Sequence, residues 1–453
     1  RRRRPRRIDL SLGDTRRPCR SSTRMKAWHA WGLHKMIRPL RPVVSPIVNL
    51  AARRRLEAAV NIADLRLAAE ARMHAMCFGY LDSGADDEVT LRRNKDAYLE
   101  YAMHYRVLHG LKPETLDTST TAFGKDLALP IVTCPCAGNK MFHADGERGV
   151  FESAKDLGVG YAMSALSTTP VEDVVGDAAP NLKIFQLYLW ADDDLVTSVL
   201  KKAKAAGFTV LALTVDFTWF GNRERDKRNG FTIPPAFSAR QVRDALLAPA
   251  WTWDFLSSEA YKYANLDAAT PAESLAAFVN KALRPDYSWD DALKLKELWD
   301  GPVLIKGIVR PDDAKFAVDH GFGVWVSNHG GRQLDAAPAP VEVVADIRDA
   351  VGPDVTIVQD GGIQRGTDIA KAIALGADLV GVGKPYLYGL GAGGKPGVRK
   401  ALTILRDEFQ RAMGLLGVGS IAELKARGRD LVKARGVSPR DAQGARYSVA
   451  SII

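Results

Sequence analysis

Cysteine is scarce in this sequence, and long apolar runs are missing. The 453 residues include four cysteines: Cys19, Cys77, Cys134 and Cys136. That number is too small for a disulfide framework and is typical of a reducing compartment. Cys134 and Cys136 are too close together for a zinc knuckle, and no histidine cluster accompanies them, so we predict no metal site. No apolar run approaches the ~18–20 residues that a membrane-spanning helix needs, so we expect no such helix.

Acidic residues are almost absent from the first 55 positions, which hold 17 Lys+Arg and two Asp+Glu. Since the whole chain has a formal charge of +10, residues 56–453 carry a net charge of −5. The basic character therefore belongs to the N-terminal tail, and we expect no nucleic-acid partner.

We expect residues 1–55 to form a basic, disordered tail. The sequence does not start with methionine, which indicates a fragment or an over-extended reading frame, with Met25 or Met36 as candidate starts. An arginine-rich, acid-poor tail is also typical of an organelle transit peptide or of a contact with an anionic membrane. Three prolines between residues 39 and 46 exclude a long helix there.

Short β-type runs alternate with helix-like segments over most of the remaining chain, after a helical pattern that begins at Val60. The runs are 131–133, 160–163, 184–188, 210–215, 303–306, 324–326, 356–359 and 379–382. Repeated βα alternation predicts a parallel sheet, and eight units favour a closed (β/α)8 TIM barrel over an open sheet. We therefore predict an α/β protein with an N-terminal helical segment, a barrel domain at 56–425 and a C-terminal tail at 426–453.

One gap breaks the regular spacing, because 93 residues separate the starts of the fourth and fifth runs. We predict a long insertion after the fourth strand, at about 222–300, which in a barrel lies at the mouth over the active site. Its apolar and aromatic stretch, residues 246–256, includes Trp251 and Trp253. Two interpretations stay open for this stretch: a lid packed on the barrel, or a peripheral contact with a membrane interface.

The strand-like run 323–326 is followed by Ser-Asn-His-Gly-Gly-Arg-Gln-Leu-Asp at residues 327–335. His329 and Arg332 place a titratable base three positions from a fixed cation, a pair suited to removing a proton or hydride beside a clamped carboxylate. An isolated pair of this kind is more often a solvated turn. The whole string resembles the active-site signature of FMN-dependent 2-hydroxy acid dehydrogenases and oxidases, and the resemblance covers about residues 57–425.

The resemblance implies an enzyme that uses FMN to oxidise an L-2-hydroxy acid to a 2-keto acid. Residues 78–88 and 222–226 are also similar to family segments. The positions that match the family's substrate-binding residues are Tyr80, Tyr188, Arg223 and Arg332. His329 matches the catalytic base, and Asp216 matches the carboxylate that orients the imidazole and stabilises it once protonated.

The resemblance also implies an FMN site built from the ends of several strands. The matching positions are Pro135, Cys136, Ala137, Ser164, Gln186, Thr214, Lys306, Ser327, Asp360, Gly361, Gly362, Gln364, Arg365, Gly383 and Lys384. Cys136 replaces a family threonine whose role is carried by the backbone. Lys306 matches the lysine beside flavin N1 and O2, where a fixed cation favours the anionic reduced ring. Gln364 and Lys384 replace two arginines that touch the phosphate, and Arg365 is the candidate replacement.

Substrate size stays open. Ala137 stands where mandelate dehydrogenase tends to have glycine, so the extra methyl group favours a small side chain such as that of L-lactate. Leu166 stands where the plant oxidases carry tryptophan, which opens room elsewhere. An aryl 2-hydroxy acid such as mandelate therefore remains the alternative.

We expect a membrane quinone or a cytochrome as electron acceptor, because the insertion is similar to that of the family's membrane-associated lactate and mandelate dehydrogenases. An oxidase that uses O2 is the alternative. The family resemblance also implies a homo-oligomer, commonly a tetramer, and we expect a cytoplasmic protein that is either free or peripheral at the inner membrane. Outside this class, a non-redox phosphate-binding barrel and a barrel that has lost its flavin remain as hypotheses.

Overall fold

Eight parallel strands form a closed barrel in a computed structural model that describes residues 33–174, 182–231, 238–259, 261–266 and 284–435. Each strand pairs with the next along the chain, and the last pairs with the first. The strands are β1 (Ile131–Thr133), β2 (Gly160–Ser164), β3 (Lys183–Leu187), β4 (Val210–Thr214), β5 (Val303–Ile308), β6 (Gly323–Val326), β7 (Ile357–Gln359) and β8 (Leu379–Val382). The predicted (β/α)8 barrel is confirmed, and the predicted runs agree with these strands to within two residues at either end.

Strand side chains fill the barrel interior. The buried interior cluster includes Val132, Ala162, Ile184, Ala212, Leu304, Trp325 and Val358. An antiparallel hairpin of Thr120–Ala122 and Lys125–Leu127 adds Ala122 and Leu127 to the same cluster. Because a packed barrel interior is a core and not a pore, a ligand site is expected at the strand ends.

Helices surround the barrel. They are Gly146–Asp156, Val171–Val174, Asp193–Ala205, Trp289–Trp299, Pro311–Asp319, Pro340–Val351, Gly366–Leu375 and Lys384–Leu416, the last interrupted at Gly393 and Gly394. Local sequence explains several of the starts. The Asp192 side chain caps one helix, and Pro311 and Pro340 occupy first positions, where the missing proline N–H costs no hydrogen bond.

The N-terminal segment is helical from residue 33, which differs from the disordered tail predicted for residues 1–55. Its helices are Leu33–Ile37, Arg41–Val48, Leu50–Ala58, Ile62–Arg72, Ala75–Asp82 and Val89–Asp96, with short 3-10 turns at Arg38–Leu40 and Ala97–Glu100. The Arg41 guanidinium binds the Asp254 carboxylate at 2.8 Å, and Trp253 Nε1 donates to Ser45 Oγ at 3.0 Å. These partners are more than 200 positions away in the sequence, so no local pattern revealed them. Residues 1–32 lie outside the described residues.

The C-terminal end of the barrel domain also extends further than predicted. The helices Ile421–Ala426 and Gly428–Leu431 are followed by the strand Val432–Ala434, which pairs antiparallel with Tyr101–Met103. Residues 426–435 are therefore part of the folded domain and not of a tail, because their backbone hydrogen bonds are made with a distant segment. Residues 436–453 of the predicted tail lie outside the described residues.

The described parts of the insertion after β4 form the helices Glu224–Arg228, Ala239–Leu247 and Pro249–Leu256. The insertion ends earlier than the predicted residue 300, because Trp289–Trp299 is the barrel helix that precedes β5. Trp251 is 2% exposed, its Nε1 donates to the Met141 carbonyl at 2.8 Å, and its ring stacks on Phe255. The indole N–H groups of Trp251 and Trp253 thus both form hydrogen bonds within the protein. This supports the lid interpretation and argues against membrane docking through these two rings. Residues 232–237, 260 and 267–283 lie outside the described residues. Among the helices that the structure describes, none combines the length and the apolarity needed to cross a bilayer.

The loop at residues 327–335, which we call the signature loop, is fastened to the N-terminal segment. The side-chain amides of Asn94 and Asn328 bind each other through two hydrogen bonds, of 3.0 and 2.6 Å. The Asp335 carboxylate accepts the first N–H groups of the Val89–Asp96 helix, and Ala85 N–H donates to the Gly331 carbonyl. The segment before the barrel therefore forms part of the wall of its mouth.

Substitution of Gly330 and of Gly331 tests how tightly the signature loop packs against the N-terminal segment. Both have positive φ angles, +65° and +74°, but a Cβ on Gly330 meets nothing within 4 Å, whereas a Cβ on Gly331 lies 2.6 Å from Leu91 N. We expect Gly330→Ala to cost about 1–2 kcal/mol of folding stability from the backbone conformation alone. Gly331→Ala should cost a further ~1–3 kcal/mol, because the helix backbone must move. Chemical denaturation of both variants measures the difference, and equal losses would contradict the tight contact.

Candidate active site

A cavity of about 320 Å³ opens at the carboxyl ends of the barrel strands. This volume falls within the range of small-molecule sites, ~300–1,000 Å³. The cavity is lined by all of the predicted site residues except Asp216, Ser164, Ser327 and Arg365. The structure thus brings the other predicted residues together around one cavity, and three of these four exceptions support residues that line it.

His329 and Asp216 form the central pair. The imidazole Nδ1 lies 2.9 Å from Asp216 Oδ1, and the ring stacks on Phe217 with 5.5 Å between centroids. Burial lowers the pKa of His329 below its ordinary value of 6.5. Burial opposes ionisation of Asp216, but His329 and Lys306 bring the pKa of this carboxyl below its ordinary value. We therefore assign a neutral imidazole that donates Nδ1–H to the carboxylate, which leaves Nε2 free to accept a proton.

The backbone at His329 is in the left-handed region, with φ of 58°. The His329 N–H donates to Ser327 Oγ at 3.1 Å, which stabilises this turn. A non-glycine residue in this region costs free energy and often marks a functional position. Here the turn directs the imidazole toward Asp216 at the end of β4.

Two arginines face the cavity next to this pair. Arg332 Nη1 donates to the carbonyls of Tyr80 and Ser83 at 2.7 and 2.9 Å. Arg223 makes longer hydrogen bonds of 3.4 Å to the Arg332 carbonyl and 3.3 Å to Gln333 Oε1. Burial and the charge of Arg332 lower the pKa of Arg223 to about 10. Neither arginine has a carboxylate partner among the described residues, so the pair is suited to binding an anion.

Aromatic rings form much of the remaining wall. Tyr188 is buried at the end of β3 and contacts Phe217 with 5.0 Å between ring centroids. Tyr80 stacks on Phe231 at 4.4 Å. The aromatic lining residues that sequence reasoning missed are Phe142, Phe217, Phe220, Phe231 and Tyr263. They belong to loops and to the insertion, where no periodic pattern identifies a residue that faces the cavity.

A buried polar network supports the floor of the cavity. Lys306 Nζ, on β5, lies 2.8 Å from Ser327 Oγ and 3.1 Å from Asp360 Oδ2. Ser327 Oγ in turn donates to Asp360 Oδ1 at 2.7 Å. Burial works against a charge on Lys306, but Asp360 and Asp216 raise its pKa above the ordinary value, so the lysine remains a cation.

Side chains at the ends of β2, β3 and β4 form a second network. Ser164 Oγ donates to Gln186 Oε1 at 3.0 Å, and Gln186 Nε2 donates to Thr214 Oγ1 at 3.0 Å. The two bonds fix the orientation of the Gln186 amide in the cavity wall. Ser164 therefore acts behind Gln186 and does not line the cavity itself.

Glycine backbone forms the wall at the ends of β7 and β8. Gly361 and Gly362 have φ of +92° and +82°, and a Cβ on Gly362 would lie 1.8 Å from the Asn94 carbonyl oxygen. Gly383 and Lys384 begin the helix after β8, and the first N–H groups of a helix have no intrahelical partner. This combination provides backbone donors for a phosphate.

Arg365 does not fill the role predicted for it. Its guanidinium binds the Glu408 carboxylate at 2.6 Å, its side chain is 52% exposed, and it does not line the cavity. Gln364 does line the cavity, but its side-chain amide donates to the Ile363 carbonyl. Glu408, 43 positions further along the chain, therefore holds the Arg365 side chain away from the cavity. No local sequence pattern indicates this ion pair.

Lys95 lines the cavity, and sequence reasoning missed it. It lies half-buried on the Val89–Asp96 helix, next to the Asn94 that binds the signature loop, and has no carboxylate partner in the described part of the chain. Lys384 Nζ donates to the Asp82 and Ser83 carbonyls. Burial and the charges of Arg332 and Lys95 lower the pKa of Lys384 well below its ordinary value. Three basic side chains, Arg332, Lys384 and Lys95, thus converge on one wall, and a bound anion would stabilise their charged forms.

These donors fit FMN. Glycine backbone, Lys384 and Lys95 suit a phosphate, the fixed Gln186 amide suits the polar edge of a flavin ring, and the Lys306 cation suits a ring that gains negative charge on reduction. Each group lines the same cavity as the His329 imidazole and the two arginines.

Comparison with known proteins agrees with this fit. A family model described as FMN-dependent dehydrogenase matches residues 69–431. The chain is 38% identical over 367 residues to the L-lactate dehydrogenase of Pectobacterium atrosepticum, which covers 80% of this chain and 94% of that protein. It is 35% identical over 365 residues to glycolate oxidase 3 of Arabidopsis thaliana, with 80% and 94% covered. The crystal structure of the monotopic membrane protein (S)-mandelate dehydrogenase is similar with a TM-score of 0.78 at 31% identity, over 83% of this chain and 100% of that chain.

The family match spans all eight barrel strands and every residue of the cavity wall. The sequence is therefore interpreted as an FMN-dependent oxidoreductase. The hypotheses of a non-redox barrel and of a barrel that has lost its flavin are set aside. The chain belongs to the FMN-dependent 2-hydroxy acid dehydrogenase and oxidase family.

Proposed function

We propose that this chain oxidises an L-2-hydroxy acid with a small apolar side chain, with L-lactate as the first candidate, and passes the electrons to a membrane quinone or a cytochrome. The observation that carries the proposal is the His329–Asp216 pair beside Arg223 and Arg332, two cations without a carboxylate partner among the described residues. When these arginines bind the substrate carboxylate, the neighbouring carbon, which carries the hydroxyl group, is directed toward the His329 imidazole.

Each residue of this group has a distinct task in the proposed reaction. Arg223 and Arg332 bind the carboxylate through charge-assisted hydrogen bonds. Burial raises the pKa of Tyr188, so its phenol stays protonated and donates to the substrate hydroxyl oxygen. His329 Nε2 accepts a proton from the substrate, and the Asp216 carboxylate stabilises the imidazolium that forms. The oxidant would be FMN, which when bound would take up the two electrons and the second of the two protons that the substrate loses.

We assign the FMN phosphate to Lys95, Lys384 and the backbone of the glycine turns. Two facts support Lys95: it lines the cavity, and it lacks an ion-pair partner in the described part of the chain. Arg365 is occupied by Glu408, so it is not available for the phosphate. Lys95, in the N-terminal segment, thus supplies the positive charge that is missing where Gln364 replaces an arginine.

An aryl 2-hydroxy acid is the second candidate substrate. Ala137 narrows the cavity relative to a glycine and favours L-lactate, in line with the L-lactate dehydrogenase relative. The aromatic wall of Phe142, Phe217, Phe220, Phe231 and Tyr263 favours a larger apolar side chain, in line with the mandelate dehydrogenase neighbour. The two observations point to different substrate sizes, so both acids belong in the test.

Anaerobic stopped-flow spectroscopy of the flavin-loaded protein tests substrate and acceptor together. We expect L-lactate to reduce the flavin faster than L-mandelate, and a soluble quinone to reoxidise it faster than O2. Ala137→Gly should shift the preference toward L-mandelate by about 10-fold or more, the scale of one methyl group in an apolar pocket. Faster reduction by L-mandelate in the unmodified chain would favour the aryl acid. Fast reoxidation by O2 with release of hydrogen peroxide would contradict the proposed acceptor.

Lys95→Met should weaken FMN binding by about 10-fold or more, because a charge-assisted hydrogen bond contributes ~1.5–3 kcal/mol. Arg365→Met is the matched control, since this arginine is bound to Glu408, and it should leave FMN affinity unchanged. Titration of the apoproteins with FMN, followed by flavin fluorescence, measures both affinities without turnover. A weaker affinity in Arg365→Met together with an unchanged affinity in Lys95→Met would reverse the assignment.

A further inference from the structure

The N-terminal helices carry their apolar side chains on the solvent side. Met36, Leu40, Val43, Ile47 and Leu50 are 51–73% exposed. Their spacing of four and three residues places them along one face of a helical segment. A helix that packs on a globular core normally turns such a face inward, so this arrangement is the reverse of the usual one.

Polar contacts attach the opposite face of the same helices to the protein. Arg41 donates to the Asp254 carboxylate and to the hydroxyls of Ser257 and Ser258, at 2.8–3.0 Å. Ser45 accepts from Trp253, and Asn49 Oδ1 accepts from Arg72 Nε at 3.1 Å. The orientation of the helices is therefore fixed by specific bonds, and the apolar face points outward as a consequence.

A second exposed apolar stripe lies on the insertion. Val242, Leu246 and Leu247 of the Ala239–Leu247 helix are 50–76% exposed. This helix and the Arg41–Val48 helix both pack against the Pro249–Leu256 helix, so the two stripes flank one common element. We call the eight exposed side chains of the two stripes the docking face.

The N-terminal helices that carry the first stripe are rich in cations and lack acids. Residues 33–55 contain six Lys and Arg and no Asp or Glu. Arg41 is bound to Asp254 and Arg38 lies 3.5 Å from Glu259, whereas Lys35, Arg53, Arg54 and Arg55 have no ion-pair partner in the described part of the chain. On the insertion helix, Arg240 and Arg243 pair with Asp244.

We propose that the docking face binds the surface of an anionic lipid membrane, with its apolar side chains at the headgroup boundary and the free cations toward the lipid charges. Exposed apolar residues beside Lys and Arg on helices that lie flat are typical of interfacial binding. A second copy of this chain is a poorer occupant, because two faces of the same positive charge would repel each other. The proposed membrane contact of the docking face rests on the proposed membrane acceptor. It differs from docking through Trp251 and Trp253, whose indole N–H groups form hydrogen bonds within the protein.

Sedimentation of the full-length, flavin-loaded chain with lipid vesicles tests the docking face without turnover. We expect binding to vesicles of 70% phosphatidylcholine and 30% phosphatidylglycerol that weakens with salt, and at least fivefold less binding to pure phosphatidylcholine. Val43→Ser, Ile47→Ser should reduce binding to the anionic vesicles at least fivefold. Leu415→Ser, an equally exposed apolar position on the barrel, should not.

Unchanged vesicle binding in the Val43→Ser, Ile47→Ser variant, with flavin content and circular dichroism as in the parent, would overturn the proposal. A fall in its oligomer mass by light scattering, with vesicle binding unchanged, would overturn it too, because the face would then be an interface between copies. Flavin reduction by L-lactate in the same variant should equal that of the parent. This readout separates a failure of the docking face from a failure of the proposed reaction.

Discussion

The 2.9 Å contact between His329 Nδ1 and Asp216 Oδ1 joins the ends of two barrel strands, β6 and β4, that are not neighbours in the sheet. The strand between them, β5, carries Lys306, whose cation helps to keep the Asp216 carboxylate ionised. The ionised carboxylate fixes the imidazole tautomer, and the tautomer leaves Nε2 available to a substrate. The His329–Asp216 pair thus depends on the pairing of these three consecutive strands, which brings their ends together.

The segment before the barrel completes the site. It contributes Tyr80 and Lys95 to the cavity wall and fastens the signature loop through the Asn94–Asn328 amide pair. Arg332, which belongs to the signature loop, donates in return to the Tyr80 carbonyl. The proposed substrate contacts, the proposed phosphate contact and the orientation of His329 are therefore linked through one packed junction.

Much of this site was predictable because a barrel brings its strand ends together wherever they fall in the sequence. Gln186, Lys306 and His329 were identified from their positions at strand ends and from the family resemblance, and all three line the cavity. Features that depend on distant partners were not predictable. Glu408 binds Arg365 and holds it away from the cavity. Asp254 binds Arg41, which lies in a helix at positions where the sequence predicts a disordered tail.

His329 is the proposed base for flavin reduction, and the rate of anaerobic flavin reduction by L-lactate in His329→Gln tests this role most directly. The variant should keep its flavin, because the proposed FMN contacts come from other residues, and its reduction rate should fall by at least ~10²-fold, the lower end of general-base catalysis. His320→Gln, at an exposed histidine outside the cavity, is the matched control and should be reduced at the parent rate. Near-parent flavin reduction in His329→Gln would contradict the account.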